Sequence, residues 1–357
     1  MSRIKFGVCG LGRIGARHAE FFAREEDKYE LVAGCDVDAQ RAEGFAKKHA
    51  CAGYSDYAKF LANPEMELAI ISTRSLDHVS NAADALAAGK IVLLDKPIAV
   101  TGEGFTKLQG LDREYEGKLF FLHNIRFQPA FQMIQSIIAD GLLGEIQSVK
   151  IRRHHGFVRR CDWQTLLSYG GGQLSCWGPH LIDQGLQFIH SPIKKIWGHL
   201  QLVNARGDAD DQVKIMLVGE NGIVADLEIS YMAALRDPYY TVYGNRGTLI
   251  CPDEKTIQLR YIDPSFKFDD RPANPGDPVT MAGGGFGGDE SIPWIEKNVK
   301  VEPEGNPADV WERALALNLY KALREGVPFP VTSEHAFEVV RVTEEIKRQN
   351  PQFNWVG

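Results

Sequence analysis

The rhythm of apolar and polar positions in this chain changes near residue 123. Before it, short apolar runs alternate with segments that repeat apolar residues at helical spacing. Ile4, Phe6 and Val8 begin a strand, Ala16 to Arg24 continues as a helix, and Leu31 to Cys35 forms a second strand ending on Asp36. Residues 41–49 read as a helix. Leu68 to Ser72 and Ile91 to Leu94 are continuous apolar runs, as expected of strands covered on both faces. Between them lies an alanine-rich helix, 76–88, stopped by Gly89. A helix over 103–116 and a strand over 119–122 complete the series. Strands alternating with helices predict an α/β fold with a parallel, doubly wound sheet, whose ligand crevice lies at the carboxyl ends of the strands.

Beyond residue 123 the period shortens. A helix over 127–140 is followed by β-prone runs at 146–155, 193–203, 212–218, 223–231, 239–243, 248–251 and 257–262. Asn221-Gly222 and Asn245 to Gly247 read as hairpin turns. With too little chain for crossovers, these runs predict a large, mostly antiparallel open sheet. A helix over 174–189 covers one face, and the other is free for another subunit. Residues 263–309 are rich in Pro and Gly, including Gly283 to Gly288, and read as a lid, an arm or a surface excursion. Two helices, 310–324 and 333–349, close the chain, with Ser333 the expected N-cap. The expected domains are 1–123 and 124–357.

The length of 357 residues supports two cores rather than one. Net charge is −7, with 44% hydrophobic and 24% charged residues, which argues against nucleic acid or an anionic membrane as the main partner. Six cysteines form no Cys-x-x-Cys pair, which predicts reduced thiols and no metal site. The absence of a leader-like or membrane-spanning run makes a cytoplasmic protein the expectation.

Candidate chemistry begins at the first strand–helix junction, Gly10-x-Gly12-Arg13-Ile14-Gly15. Gly10 permits the tight turn, Gly12 lets a pyrophosphate approach the backbone, and Gly15 lets the helix pack close. The free N–H groups of the helix start then hold the phosphate charge. Such spacing alone is weak; here a strand precedes it, a helix follows, and Asp36 ends the next strand. A carboxylate there suits ribose hydroxyls and repels a 2′-phosphate, so NAD is the expected cofactor. The same sheet edge carries Ser72, Thr73 and Lys96.

Two stretches suggest catalysis. In Asp95-Lys96-Pro97, an ammonium stands at the end of a central strand, and Pro97 restricts how it is presented; the alternative is an ordinary strand-end lysine. In Gly170 to Asp183, a glycine turn leads into a helix on which Cys176, His180 and Asp183 share a face. His180 could take a proton near neutral pH, although a helix histidine is often a satisfied core group. Between residues 150 and 160 lie Arg152, Arg153, His154, His155, Arg159 and Arg160, with Trp163 beyond. Strand alternation would send half of these side chains to solvent, so only some are expected to reach a site.

Together, Gly10 to Gly15 with His18, His78, Asp95-Lys96-Pro97, Arg126-Phe127 and the Gly-rich run to His180 and Asp183 resemble the glucose–fructose oxidoreductase/inositol dehydrogenase (Gfo/Idh/MocA) family over essentially the whole chain. The resemblance implies a Rossmann domain followed by an open-sheet domain that builds dimers or tetramers. It also implies NAD-dependent oxidation of a sugar, glycoside or cyclic polyol. Lys96 would contact the reacting hydroxyl and the nicotinamide ribose, His180 would be the acid–base residue, and Asp183 a substrate ligand. Arg126, His155, Arg159, Trp163 and Cys176 are the other expected substrate contacts, and His78 a cofactor contact. Two departures stand out: the family commonly has Glu where Asp95 stands and Asp where Cys176 stands. Redox-assisted glycoside cleavage with recycled NAD, and non-catalytic NAD or sugar sensing, are the competing expectations.

Overall fold

The computed structural model describes residues 2–273, 275–276, 290–303 and 305–354. The first sheet is assembled from β1 (Ile4–Cys9), β2 (Tyr29–Cys35), β3 (Ala52–Tyr54), β4 (Leu68–Ile71), β5 (Ile91–Leu94) and β6 (Leu119–Phe121). They lie in the order β3-β2-β1-β4-β5-β6, all parallel. Crossover helices α1 (Arg13–Arg24), α2 (Ala39–His49), α3 (Tyr57–Leu61), α4 (His78–Ala87) and α5 (Gly102–Glu114) cover its faces. Every residue of β4 is buried, as its unbroken apolar run predicts. The order reverses between β1 and β4, which opens the crevice at Gly10 and Ser72. Strand β3 and helix α3 were not expected. Their runs are only three and five residues, too short for periodicity to register.

The second sheet contains β7 (Ile146–His154), β8 (Ile193–Gln201), β9 (Gln212–Gly219), β10 (Val224–Ser230), β11 (Tyr240–Gly244), β12 (Gly247–Cys251), β13 (Thr256–Ile262) and β14 (Trp294–Lys300). Its order is β14-β13-β12-β11-β7-β10-β9-β8, antiparallel except for β10 beside β7. Helices α6 (Pro129–Ala139), α7 (Gln173–Cys176) and α8 (Gly178–Ile189) belong to this half, and α8 packs on β10, β7 and β9.

Three further expectations are corrected. The Pro- and Gly-rich segment contains β14, which completes the sheet edge against β13; Gly283 to Gly288 lie outside the described residues. The single helix over 174–189 is broken at Trp177, because Pro179 cannot donate a backbone bond and starts a new first turn. Helix α10 (Ser333–Gln349) is capped by Thr332, whose hydroxyl accepts the His335 N–H, and Ser333 instead donates to Asp112 at 2.6 Å.

The chain also returns to its beginning. Helix α9 (Pro307–Glu325) packs on α1, and Leu315, Ala316, Leu319 and Tyr320 join the core of the first sheet. The Tyr29 hydroxyl donates to the Ala316 carbonyl at 2.7 Å. The first sheet therefore draws on apolar surface some 300 residues away in sequence.

Candidate active site

The junction β1–α1 forms one wall of a cleft of about 240 Å³ lined by Gly12, Arg13, Ile14, Gly15, Ser72, Thr73, His78, Lys96, Trp163 and Cys176, among others. Its glycines divide the work. Gly10 has φ +89°, and a Cβ there would meet the Ser72 carbonyl oxygen at 2.4 Å. A Cβ on Gly15 would meet the Gly10 carbonyl oxygen at 1.8 Å, so α1 can only sit this close because that residue has no side chain. A Cβ on Gly12 would meet nothing within 4 Å. That open space lies against the first turn of α1, whose N-cap Gly12 provides no side-chain acceptor for the free N–H groups. Phosphate fits there: the donors are unpartnered and the approach is clear.

Asp36 is more occupied than expected. Its Oδ2 accepts the Leu11 N–H at 2.8 Å and its Oδ1 accepts the Asp38 N–H at 3.0 Å. Arg41 Nη1 reaches both oxygens, at 3.1 and 3.2 Å. A ribose diol would take the place of the half-exposed Arg41 side chain. Neither Asp36 nor Gly10 lines the cleft itself.

Strand β5 delivers Asp95 and Lys96 to the opposite wall. The Lys96 ammonium donates to the Cys176 carbonyl oxygen at 3.0 Å, joining the two halves of the molecule across the cleft. Asp95 Oδ1 accepts the Lys96 N–H at 2.8 Å. Behind it, His18 Nε2 lies 3.6 Å from Asp95 Oδ2 and His18 Nδ1 lies 3.2 Å from Glu312 Oε2. Burial opposes charge on His18, but Glu312 and Asp95 overcome it and push its pKa up to about 10. Burial would likewise raise the Asp95 carboxyl; His18 and Lys96 instead hold it well below the usual range. Glu312 sits on α9 and donates nothing to a sequence motif, so only the fold reveals it. His78 is positioned with Nδ1 2.8 Å from the Pro97 carbonyl and Nε2 3.1 Å from that of Thr73.

The expected substrate residues divide. Trp163 and Cys176 reach the cleft, accompanied by Arg160, Asp162, Gln164 and Ser175, which were not assigned to it. Arg160 Nε donates to Asp162 at 2.7 Å. His180 does not line the cleft; it is 6% exposed, and its ring packs edge-on against Trp177. Burial, Lys96 and His123 hold its pKa well below the ordinary histidine value, so the imidazole is neutral. Asp183 and Arg126 are also off the cleft. They form a buried two-bond ion pair, so each neutralises the other instead of facing a substrate. His155 packs between Trp177 and Tyr231, with its pKa down to about 4 through burial and Arg153. Arg159 is part of an outer loop, 3.5 Å from the Asn204 carbonyl.

Alternation on β7 works as expected for direction but not for solvation. Arg153 points inward between Trp177 and Tyr239, whereas Arg152 and His154 take the other face and are buried among Asp226, Glu228 and Lys214. His123, at the end of β6, carried no motif and was not singled out. It is 1% exposed and held neutral by burial, with a pKa down to about 4.

Comparison with known proteins agrees with this architecture. Residues 4–123 match the model of the "Oxidoreductase family, NAD-binding Rossmann fold", and residues 131–250 match the "GFO/IDH/MocA C-terminal domain". An uncharacterised oxidoreductase of Synechocystis is 28% identical over 62% of this chain and 64% of its own length. The bovine trans-1,2-dihydrobenzene-1,2-diol dehydrogenase is 27% identical over 68% of this chain and 72% of its own. Inositol 2-dehydrogenase of Rhizobium meliloti is 25% identical over 72% and 78%. In fold, an NAD-binding protein from Listeria innocua superposes with a TM-score of 0.79 at 23% identity, covering 98% of this chain and 96% of that one. The chain therefore belongs to the GFO/IDH/MocA oxidoreductase family, with an NAD-binding Rossmann fold over residues 4–123.

Proposed function

We propose that this protein oxidises a secondary ring hydroxyl of a cyclic polyol or sugar, with NAD as hydride acceptor. The observation that supports this most is Lys96: its ammonium lines the same cleft as Gly12 of the phosphate turn and donates to the Cys176 carbonyl. Two relatives act on an inositol and on a benzene dihydrodiol, compounds that share adjacent hydroxyls on a six-membered ring. When bound, the dinucleotide supplies the hydride acceptor. The first-turn N–H groups of α1 would hold its pyrophosphate.

Lys96 exchanges the Cys176 carbonyl for the substrate oxygen and stabilises the charge that develops there. His180, desolvated and unprotonated, is the base in this reading: it lies off the cleft lining, and the hydroxyl proton reaches it once Lys96 has exchanged the Cys176 carbonyl for the substrate oxygen. No carboxylate stands at position 176; Asp95 favours the imidazolium formed, which is discharged by passing its proton on. Trp163 offers a flat apolar face to the ring, and Arg160, Asp162 and Gln164 offer hydroxyl contacts. The outer face of the second sheet, with Trp197, Tyr243 and Trp294 exposed, would seat a second copy of the chain; light scattering of the purified protein reads this directly.

The test of the reaction is NADH formation at 340 nm across inositols, free sugars and glycosides. Stoichiometric NADH with a ring polyol is expected. Glycoside cleavage without net NADH would favour the recycling reaction, and binding without turnover on any of them would favour a sensor.

A further inference from the structure

A buried cavity of about 10 Å³ lies between two larger ones. It shares Pro97 and Ser175 with the cofactor cleft, and Lys347 with an outer pocket of about 290 Å³. Its polar walls are His123, Ser175, Thr343 and Lys347. A space of this size holds about one water molecule, and a water is retained where two to four polar groups meet it.

One of those groups needs such a partner. The register of β5 on β6 pairs Leu94 with Phe121, so Lys96 and His123 leave neighbouring strands at the same height. Among the described residues, neither ring nitrogen of His123 has a hydrogen-bond partner, and the Nδ1 of His180 has none. Buried polar atoms in folded proteins are satisfied by protein or ordered water in the great majority of cases. His78, on the same sheet edge, has both nitrogens engaged. The charged groups acting on His123 are Asp183 of α8, Arg126, and Lys96 and Asp95 at the end of β5. From α10, Lys347 reaches the cavity with its ammonium donating to the Val100 carbonyl at 3.0 Å, and Glu344 lines the outer pocket.

We infer that this cavity holds an ordered water, and that His123 and the water carry the proton released by oxidation from His180 to the outer pocket. The kinetic part rests on the oxidation proposed above; the water does not. Oxidation of CH–OH to a carbonyl sends the C–H electron pair out as hydride and leaves one proton on the protein. His180 is enclosed, so that proton must be passed on before the next turnover. At each transfer one N–H or O–H bond breaks as the next forms. The relay returns to its starting state, and the proton ends on bulk water beyond Lys347. The route avoids the cleft, which is filled by cofactor and substrate during turnover.

Two experiments test it. A high-resolution crystal structure of the full chain is expected to show a water in this cavity within hydrogen-bond distance of a His123 ring nitrogen. A dry cavity overturns the inference whether or not any substrate is found. In solution, His123→Leu is expected to keep its NADH affinity, measured by fluorescence titration. Its kcat falls by about 100-fold, the low end of what a positioned proton-transfer group supplies. The solvent deuterium isotope effect on kcat rises, and added imidazole restores part of the rate. An unchanged kcat and isotope effect overturn the relay. Lys347→Met tests the far end of the route should His123→Leu fail to fold, with a smaller loss and the same isotope signature. If the wild-type chain oxidises no polyol, the functional proposal fails, and the crystallographic water still decides this one.

Discussion

His18 and His123 are both almost fully buried, and both stand beside the strand end that carries Asp95 and Lys96. They nevertheless sit in opposite charge states. His18 lies between Asp95 and Glu312 and is protonated, its pKa pushed up to about 10. Among the described residues His123 has no hydrogen-bond partner, and it is neutral, its pKa pushed down to about 4. Burial disfavours charge on both. Two carboxylates within 4 Å of one ring reverse its effect there; at the other, Asp183 and Asp95 oppose burial, Arg126 and Lys96 without overcoming them. One imidazole is thus a fixed cation that holds Asp95, and through it the backbone of Lys96; the other is available to exchange protons.

The largest expected effect is at the residue between them. Lys96→Ala should lower kcat by about 100-fold or more, in line with loss of a preorganised charge at a developing oxyanion, while the NADH dissociation constant moves little. Comparable turnover in the variant would remove Lys96 from the chemistry. Next is Glu312→Leu, which leaves the His18–Asp95 pair short of one carboxylate and Asn124 without its 2.6 Å acceptor. Breaking a buried ion pair costs about 3–5 kcal/mol, readable in a denaturant titration.

The two imidazoles should also give stability opposite slopes with pH. The pKa of His18 is raised on folding, so its contribution is complete below the unfolded value of about 6.5 and is lost as pH rises towards about 10. That of His123 is depressed, so stability is complete above about 6.5 and is lost as pH falls towards about 4. Thermal melts across this range should show a shallower acid limb in His123→Leu, the remainder belonging to His155 and His180, and a flatter alkaline side in Glu312→Gln. Identical limbs in both variants would erase the contrast.

The smallest effect on folding separates two glycines of one motif. Gly12→Ala, with nothing within 4 Å of the added methyl, should change stability by less than about 0.5 kcal/mol yet weaken NADH binding about tenfold, since the methyl enters the phosphate approach. Gly15→Ala, meeting a carbonyl oxygen at 1.8 Å, should instead destabilise the fold.

What could be read from the residues alone was local or periodic. The buried strands β4 and β5, the glycine turn before α1 and the placing of Lys96 at a strand end follow from apolar runs and from backbone angles that few residues adopt. The side-chain partnerships were not legible. Asp183 is spaced along α8 like a substrate ligand, and only packing shows that Arg126 occupies it. Cys176 contributes its carbonyl to Lys96, a role that any residue could fill and that no side-chain pattern marks. Asp36 suits a ribose in sequence, yet Leu11, Asp38 and Arg41 already occupy its oxygens.

The sequence by itself determined where strands, helices and the phosphate turn lie, because hydrophobic period and glycine stereochemistry act over a few residues. The tertiary structure alone decided which imidazole is charged. Electrostatics and desolvation depend on distance through space, and His18 meets a carboxylate 294 residues away, whereas among the described residues His123 meets none as a hydrogen-bond partner.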